Sequence, residues 1–222
     1  MLRLHFKMKS AIVGNIKSNT FFGLFCEAYK RVNGETALVE MLEQLYKKEH
    51  YIAFSNALKV NTLDFVTYRE KETYHVCLDR ELLGNNHLFS RINKCLLKFD
   101  VLVDTDLELT DDLINMMKTL NLGANKNNGI GSIESITVEE NTVERADKMV
   151  LGDFVPDENT KMFKDAQYYI RRGVTNNLSQ KPLVMFKSGV PYSVNSDNET
   201  RVGRVLKDEW TNTYINGMSV VA

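Results

Sequence analysis

The sequence predicts an α+β fold: a ferredoxin-like sheet carrying inserted elements, followed by a β-rich second half. Three observations predict it. Leu2 to Lys9 alternates apolar and polar residues, the pattern of a half-buried strand. Segments of helical period separate this strand from two more alternating stretches, Cys95 to Asp106 and Ser132 to Glu139. Beyond about residue 140 the helical period fades and only short strand-like runs remain.

In the first strand Leu2, Leu4, Phe6 and Met8 point one way, and Arg3, His5, Lys7 and Lys9 the other. Gly14 to Thr20 is a polar loop in which Ser18, Asn19 or Thr20 can cap the next helix. That helix is expected over about 21–32, with Phe22, Phe25, Cys26 and Tyr29 at helical spacing. Asn33-Gly34 breaks it, and a second helix over about 36–48 buries Leu38, Met41, Leu42 and Leu45. Ile52 to Leu58 and Leu63 to Tyr68 read as short strands or ordered loop. Asn85 to Lys94 is expected to be short helix or loop. Between Cys95 and Asp106, Leu97, Phe99, Val101 and Val103 face one side. Thr110 caps a helix to about Leu120, with Asp111 and Asp112 in the first turn, where the helix dipole favours negative charge. In the second half Met149 to Val155, Gln167 to Arg172, Leu183 to Phe186 and Met218 to Val221 read as strands. Asn141 to Lys148 is the expected boundary, giving a domain over 1–140 and a smaller β-rich half over 141–222.

With 222 residues and 43% hydrophobic content, the chain can bury a real core. It has no run of about 18 apolar residues, so no membrane span is expected. Cys26, Cys77 and Cys95 lack C-x-x-C spacing, which points to reduced thiols in a cytoplasm and away from structural zinc. The net charge of −1 does not advertise a nucleic-acid binder. Its distribution says more: residues 1–31 set six basic residues against Glu27 alone, and Asp100 to Asp112 carries six acids and no base. This fits either one RNA-facing side and one side that is solvated or meets a basic partner, or two ordinary solvated faces.

The most informative stretch is Gly123-Ala-Asn-Lys-Asn-Asn-Gly-Ile-Gly131. Glycine lets a backbone take positive φ and approach a ligand closely. Such a loop can aim successive N–H groups at an anion. Lys126 adds a mobile charge, and Asn125, Asn127 and Asn128 add amides able to meet phosphate or a 2′-hydroxyl. The loop reads as a polyanion site, with RNA a good candidate, or as a plain helix-to-strand connection. A P-loop is excluded because Gly-Ile-Gly-Ser stands where Gly-Lys-Ser is required. The dinucleotide fingerprint is excluded because a helix, not a strand, precedes the glycines.

Several segments, in order, resemble the RAMP superfamily of CRISPR-associated proteins. They are Phe6-x-x-Lys9, Gly14, Ser18 through Cys26, Leu122-Gly123 through Gly129-Ile130-Gly131, Met149 through Pro156, Tyr168 through Gly173, and Lys181 through Gly189. Within that superfamily the chain resembles the type III effector-complex subunit that binds the 5′ handle of the guide RNA (crRNA). The resemblance implies tandem ferredoxin-like, RRM-like halves with antiparallel sheets, the second half degenerate. It also implies a non-catalytic RNA-binding role without a cofactor. The implied partners are the crRNA 5′ handle, a RAMP-type backbone subunit and a large polymerase-like or nuclease subunit. The chain is short for this family, which fits a reduced or mobile-element version of the complex.

The candidate RNA contacts fall in three groups. Lys9, Asn15, Lys17, Ser18, Asn19 and Thr20 surround the first loop, ahead of a helix N-terminus that suits an anion; the alternative is a polar loop with an N-cap. Gly123, Asn125, Lys126, Asn127, Asn128, Gly129 and Gly131 form the second group. Arg171, Arg172 and Lys187 form the third, and strand alternation lets at most one of the two arginines face RNA. Phe21 and Phe22 offer stacking surface or core, with core favoured for at least one. Trp210 reads as half-buried, or as a partner-facing anchor.

The rival reading is a RAMP-type, metal-independent endoribonuclease that processes precursor crRNA through a histidine. His5, His50, His75 and His87 are scattered, and no acid–base pair is evident in the sequence. Asp104 and Asp106 share a face but lack further ligands for a metal. A binding module for another RNA is the third reading.

Overall fold

The computed structural model describes residues 1–13, 16–58, 69–78, 85–123, 131–141, 149–157, 166–175, 178–191 and 200–222; for 11, 13, 69–78, 85–95, 174–175 and 178 it describes backbone only. Strand β1 (Leu2–Val13) leads into helices α1 (Ser18–Asn33) and α2 (Glu35–Tyr46). Then come β2 (Ile52–Phe54), β3 (Arg69–Leu78), β4 (Asn85–Thr105), α3 (Asp111–Thr119) and β5 (Ile133–Glu140). The antiparallel sheet runs β2-β4-β1-β5, with β3 added on β4. Leaving β3 aside, the last strand lies beside the first, and the second strand is at the far edge. With helices after the first and third of these four strands, this is the ferredoxin-like arrangement. The fold class is α+β with antiparallel sheets, compatible with the tandem ferredoxin-like expectation.

The alternation in the first strand places the core. Leu4, Phe6 and Met8 are buried, and register sets Phe6 opposite Phe99 on β4. Their rings stack with centroids 5.0 Å apart, and Phe21 of α1 closes the triangle at 5.5 and 5.8 Å. Phe22 is buried too, so both aromatics at the helix start are core. A buried phenylalanine in such a cluster stabilises by about 3–5 kcal/mol relative to alanine. Gly34, at φ +91, separates α1 from α2, as the Asn-Gly pair predicts. Thr110 caps α3 through its hydroxyl, which accepts from Leu113 N.

The second half consists of hairpins. Strands β6 (Tyr168–Arg171) and β9 (Leu183–Phe186) pair, and β7 (Val174–Thr175) with β8 (Leu178–Ser179) continues them outward. Strands β10 (Arg201–Asp208) and β11 (Thr213–Val220) form the other hairpin. It packs on the first half: Val205 joins the main core, and Asn216 Nδ2 donates to Ile52 O at 3.2 Å. Val150, Phe154, Val202 and Val221 form a second small core.

Several expectations are corrected. Residues 85–94 are strand, not helix or loop; nine register pairs with β3 supply hydrogen bonds that local propensity does not. Helix α1 starts at Ser18, three residues early, because Asn56 Oδ1 accepts from Ser18 N and caps it from a distant loop. Met149 to Val155 makes isolated bridges to Pro191, Val221 and Phe186 instead of one strand. Trp210 is exposed in the turn between β10 and β11, not half-buried. Leu63 to Tyr68, and most of the boundary at 141–148, lie outside the described residues.

Candidate nucleic-acid interface

The glycine loop has a clamped neck. Leu122 N donates to Gly131 O at 2.8 Å, and Asn121 bridges Ser132. Gly131 has φ +84, and a Cβ there would stand 1.9 Å from Leu122 O. Gly123 has φ +86, with Ile12 Cδ1 2.9 Å from where its Cβ would be. Gly131 is therefore held to glycine by both the backbone clash and positive φ, and Gly123 is favoured as glycine by its positive φ, since the Ile12 side-chain end can shift. The neck is fixed on β1. Lys9 N donates to Ser132 O at 2.8 Å, and Ser132 N donates to Ser10 Oγ at 2.9 Å. This sets exposed Lys9 beside the base of the loop. Asn125, Lys126, Asn127, Asn128, Gly129 and Asn15 lie outside the described residues.

Two cavities adjoin on α1. One, of about 650 Å³, lies between Asn19, Thr20 and Arg31 of α1 and the loop base at Asn121 to Gly123. The other, of about 510 Å³, lies between α1, α2 and β11 and reaches Arg171. Asn19 and Gly23 line both, and the space where a Gly23 side chain would stand is open. Four candidates from three different parts of the sequence, Asn19, Thr20, Gly123 and Arg171, are thus brought together.

Arg171 is the notable cation here. Burial holds its guanidinium below the ordinary value, with Tyr169 acting weakly the other way. It has no ion-pair partner among the described residues. Lys207 in the same cavity is different: it and the Tyr214 hydroxyl both donate to Glu43 Oε1. The hydrogen bond from Lys207, then that from Tyr214, holds the Glu43 carboxyl below its usual range. Burial pushes the Cys26 thiol up to about 12, so it stays protonated.

The start of α1 holds a carboxylate that the sequence reading did not place. Asp153 is buried. Its Oδ2 accepts from Lys17 Nζ at 2.6 Å and from Tyr169 Oη at 2.9 Å, and its Oδ1 from Ser188 N at 3.3 Å. Lys17 also lies over the Tyr169 ring at 4.3 Å. Burial alone would raise the Asp153 pKa, but Lys17 and Tyr169 outweigh it and hold the carboxyl below its usual range. Ser18 is buried against this network, and Lys17 is already neutralised by it. The sequence did carry a signal: a single aspartate within Val150 to Val155, an otherwise apolar run, calls for a buried partner. Arg172 is exposed and, next to Arg171 along the strand, takes the opposite face. Lys187 is exposed just beyond β9, where alternation from Met185 puts it on the Arg171 side, with its Nζ on the Gln167 amide.

Charge segregated along the sequence is not segregated in space. Lys7 pairs with Glu134, Lys17 with Asp153, Lys30 with Glu35 and Arg31 with Glu27. In the acidic stretch, Asp100 meets His5, Asp104 meets Arg201 and Asp106 meets His50. The Asp104 and Asp106 pair is thereby occupied, and no metal-binding cluster exists among the described residues. His5 is the more telling contact. Its Nδ1 lies 2.6 Å from buried Asp100, and its Nε2 lies 3.1 Å from Glu139. Burial works to lower its pKa, but the bonds and charges of Glu139 and Asp100 raise it above the ordinary value. The side chains of His75 and His87 lie outside the described residues.

A ferredoxin-like half, a glycine loop clamped at its base and a hairpin-built second half together define the class. By sequence the chain matches no family model and no curated protein. By structure it matches a chain in the crystal structure of a Csm3–Csm4 subcomplex of the type III-A CRISPR-Cas interference complex. That match has TM-score 0.62 and 14% identity, and covers 100% of this chain and 98% of that one. It also matches a chain of the Csm1–Csm4 cassette in complex with AMPPNP, at TM-score 0.57 and 10% identity, covering 99% and 96%. A match to the same cassette in complex with cA4 has TM-score 0.57 and 11% identity, covering 98% and 95%. At these identities the likeness establishes a shared fold over the whole chain. Among the described residues no helix is long and apolar enough to cross a membrane.

Proposed function

We propose that this chain is a non-catalytic, cytoplasmic RNA-binding subunit of a type III-like CRISPR effector complex. It caps the 5′ handle of the crRNA and joins a large subunit to the backbone subunits. The observation that carries the reading is the match along full length in both directions to chains of two assemblies whose shared component is Csm4. The clamped loop neck beside Lys9, and the two adjoining cavities that share Asn19 and Gly23 and reach Arg171, which has no ion-pair partner among the described residues, support an RNA path from the glycine loop over α1. Residues 1–140 and 141–222 are the two halves, and the RNA lies at their junction.

The test is co-expression with a backbone subunit, a large subunit and a repeat–spacer transcript. The expected result is a co-eluting particle whose RNA, on sequencing, begins with a repeat-derived 5′ tag. A monodisperse monomer that ignores both proteins and RNA overturns the reading, and unrelated copurified RNA makes it a module for another RNA.

One observation favours the endoribonuclease reading: His5 bonds Asp100 as an oriented general base does. Against it, Glu139 lies 3.1 Å from the other ring nitrogen, and the two carboxylates raise the ring's pKa, which favours the form that cannot act as a base. Specific cleavage of repeat RNA in EDTA that is lost in His5→Ala would establish the nuclease.

A further inference from the structure

The β6–β9 hairpin has two unlike faces. Tyr169 and Met185 turn inward, Tyr169 onto Asp153 and Met185 into full burial. Tyr168, Ile170 and Val184 turn outward and are 65%, 54% and 47% exposed. Register places Ile170 opposite Val184 and Tyr168 opposite Phe186. These four side chains form one apolar block, with the Tyr168 and Phe186 ring centroids 6.3 Å apart. Among the described residues its surroundings carry one sign of charge: Arg172 is exposed in phase with Ile170, Lys181 and Lys187 are exposed at the two ends of β9, and the described stretches of 166–191 contain no carboxylate. Lys187 Nζ meets only the Gln167 amide, at 3.2 Å.

We propose that this face docks a protein partner whose own apolar patch is bordered by carboxylates. Adjacent exposed apolar residues of this size mark interaction sites. Ile170 and Val184 are aliphatic and gain free energy only by meeting apolar groups. A nucleic acid would set them against ribose and phosphate, and bases stack on aromatic faces, of which only Tyr168 is well exposed. A second copy of this chain is disfavoured because a two-fold contact would oppose the Arg172 and Lys187 borders to themselves. An acidic border instead steers and orients the partner. The choice of probe rests on the proposed function: the large and backbone subunits of the complex.

The experiment places a photocrosslinking benzoyl-phenylalanine at position 184 in the assembled particle. The expected adduct joins this chain to one protein subunit, at a peptide with apolar residues flanked by Asp or Glu. Ile170→Asp with Val184→Asp should weaken that subunit's binding at least about tenfold. Arg172→Glu should weaken it about three- to tenfold and reduce its salt dependence. Guide RNA should be retained in both variants. An adduct to RNA, an adduct to a second copy, or full subunit binding by the double variant overturns the proposal. If circular dichroism shows the double variant unfolded, the crosslink and Arg172→Glu still decide. A particle without guide RNA defeats the functional reading, while the adduct still reports on this face.

Discussion

Lys17 Nζ stands 2.6 Å from Asp153 Oδ2, joining the start of α1 to the opening segment of the second half. The lysine is half exposed and the aspartate is buried, so the two ends of this pair are not equivalent. Removing the lysine leaves a buried charge still hydrogen-bonded by Tyr169 and Ser188. Removing the aspartate leaves those donors without their acceptor.

Asp153→Ala should therefore destabilise the chain by about 2–4 kcal/mol and Lys17→Met by about 1–2 kcal/mol, read by urea unfolding. The Asp153 pKa is lower folded than unfolded. Its contribution is then fully present above the unfolded carboxylate value and lost as pH falls through the folded one. The gap between parent and Asp153→Ala should shrink in acid. A gap independent of pH would show that packing, not charge, is at stake.

His5 has the opposite sign. Its folded pKa is raised, so its contribution is complete below the unfolded value of about 6.5 and fades as pH rises through the folded one. His5→Gln should cost most in mild acid and least in alkali, measured by thermal melts across pH. An NMR titration of the His5 ring should give a value above that of a free histidine. A value below it would mean that burial wins over Asp100 and Glu139.

Gly131→Ala should destabilise by about 1–3 kcal/mol through the loop neck, with or without RNA. The Cβ would meet Leu122 O, and the backbone is at positive φ. Loss of RNA binding in that variant therefore says nothing about contact. Lys126→Ala is the informative change: it should weaken RNA binding modestly and lower the salt slope by about one charge at most. An unchanged slope would leave the loop as a connection.

The first half was legible because its signals are local. Alternation in Leu2 to Met8, the Asn33-Gly34 break and the Thr110 cap each act within a few residues. What was missed depends on distant partners. Residues 85–94 become strand only because β3 is there to pair with them, and α1 starts early only because Asn56 reaches its first amide. The site follows the same rule. Glycine positions at the neck could be read from sequence, whereas the partners of Lys17 and His5 sit 136 and 95 positions away. The basic N-terminal segment gave the wrong spatial picture, since charge sums along a chain do not record the carboxylates that fold against it.

Arg171 separates stability from function. Its guanidinium is half-buried in the cavity beside Asn19, depressed by burial and without an ion-pair partner among the described residues. A cation held this way costs free energy in the isolated chain, because desolvation is not offset by an anion. Arg171→Met keeps the apolar stem and removes the charge. The variant should be as stable as the parent or up to about 1 kcal/mol more stable in urea unfolding. At the same time its affinity for guide RNA should fall about five- to thirtyfold, the loss expected for one partly buried charge-assisted contact of about 1–2 kcal/mol. The two readouts move in opposite directions only if the arginine is held ready for an external anion. Loss of stability with unchanged RNA affinity would make Arg171 a structural residue and remove the second cavity from the RNA path.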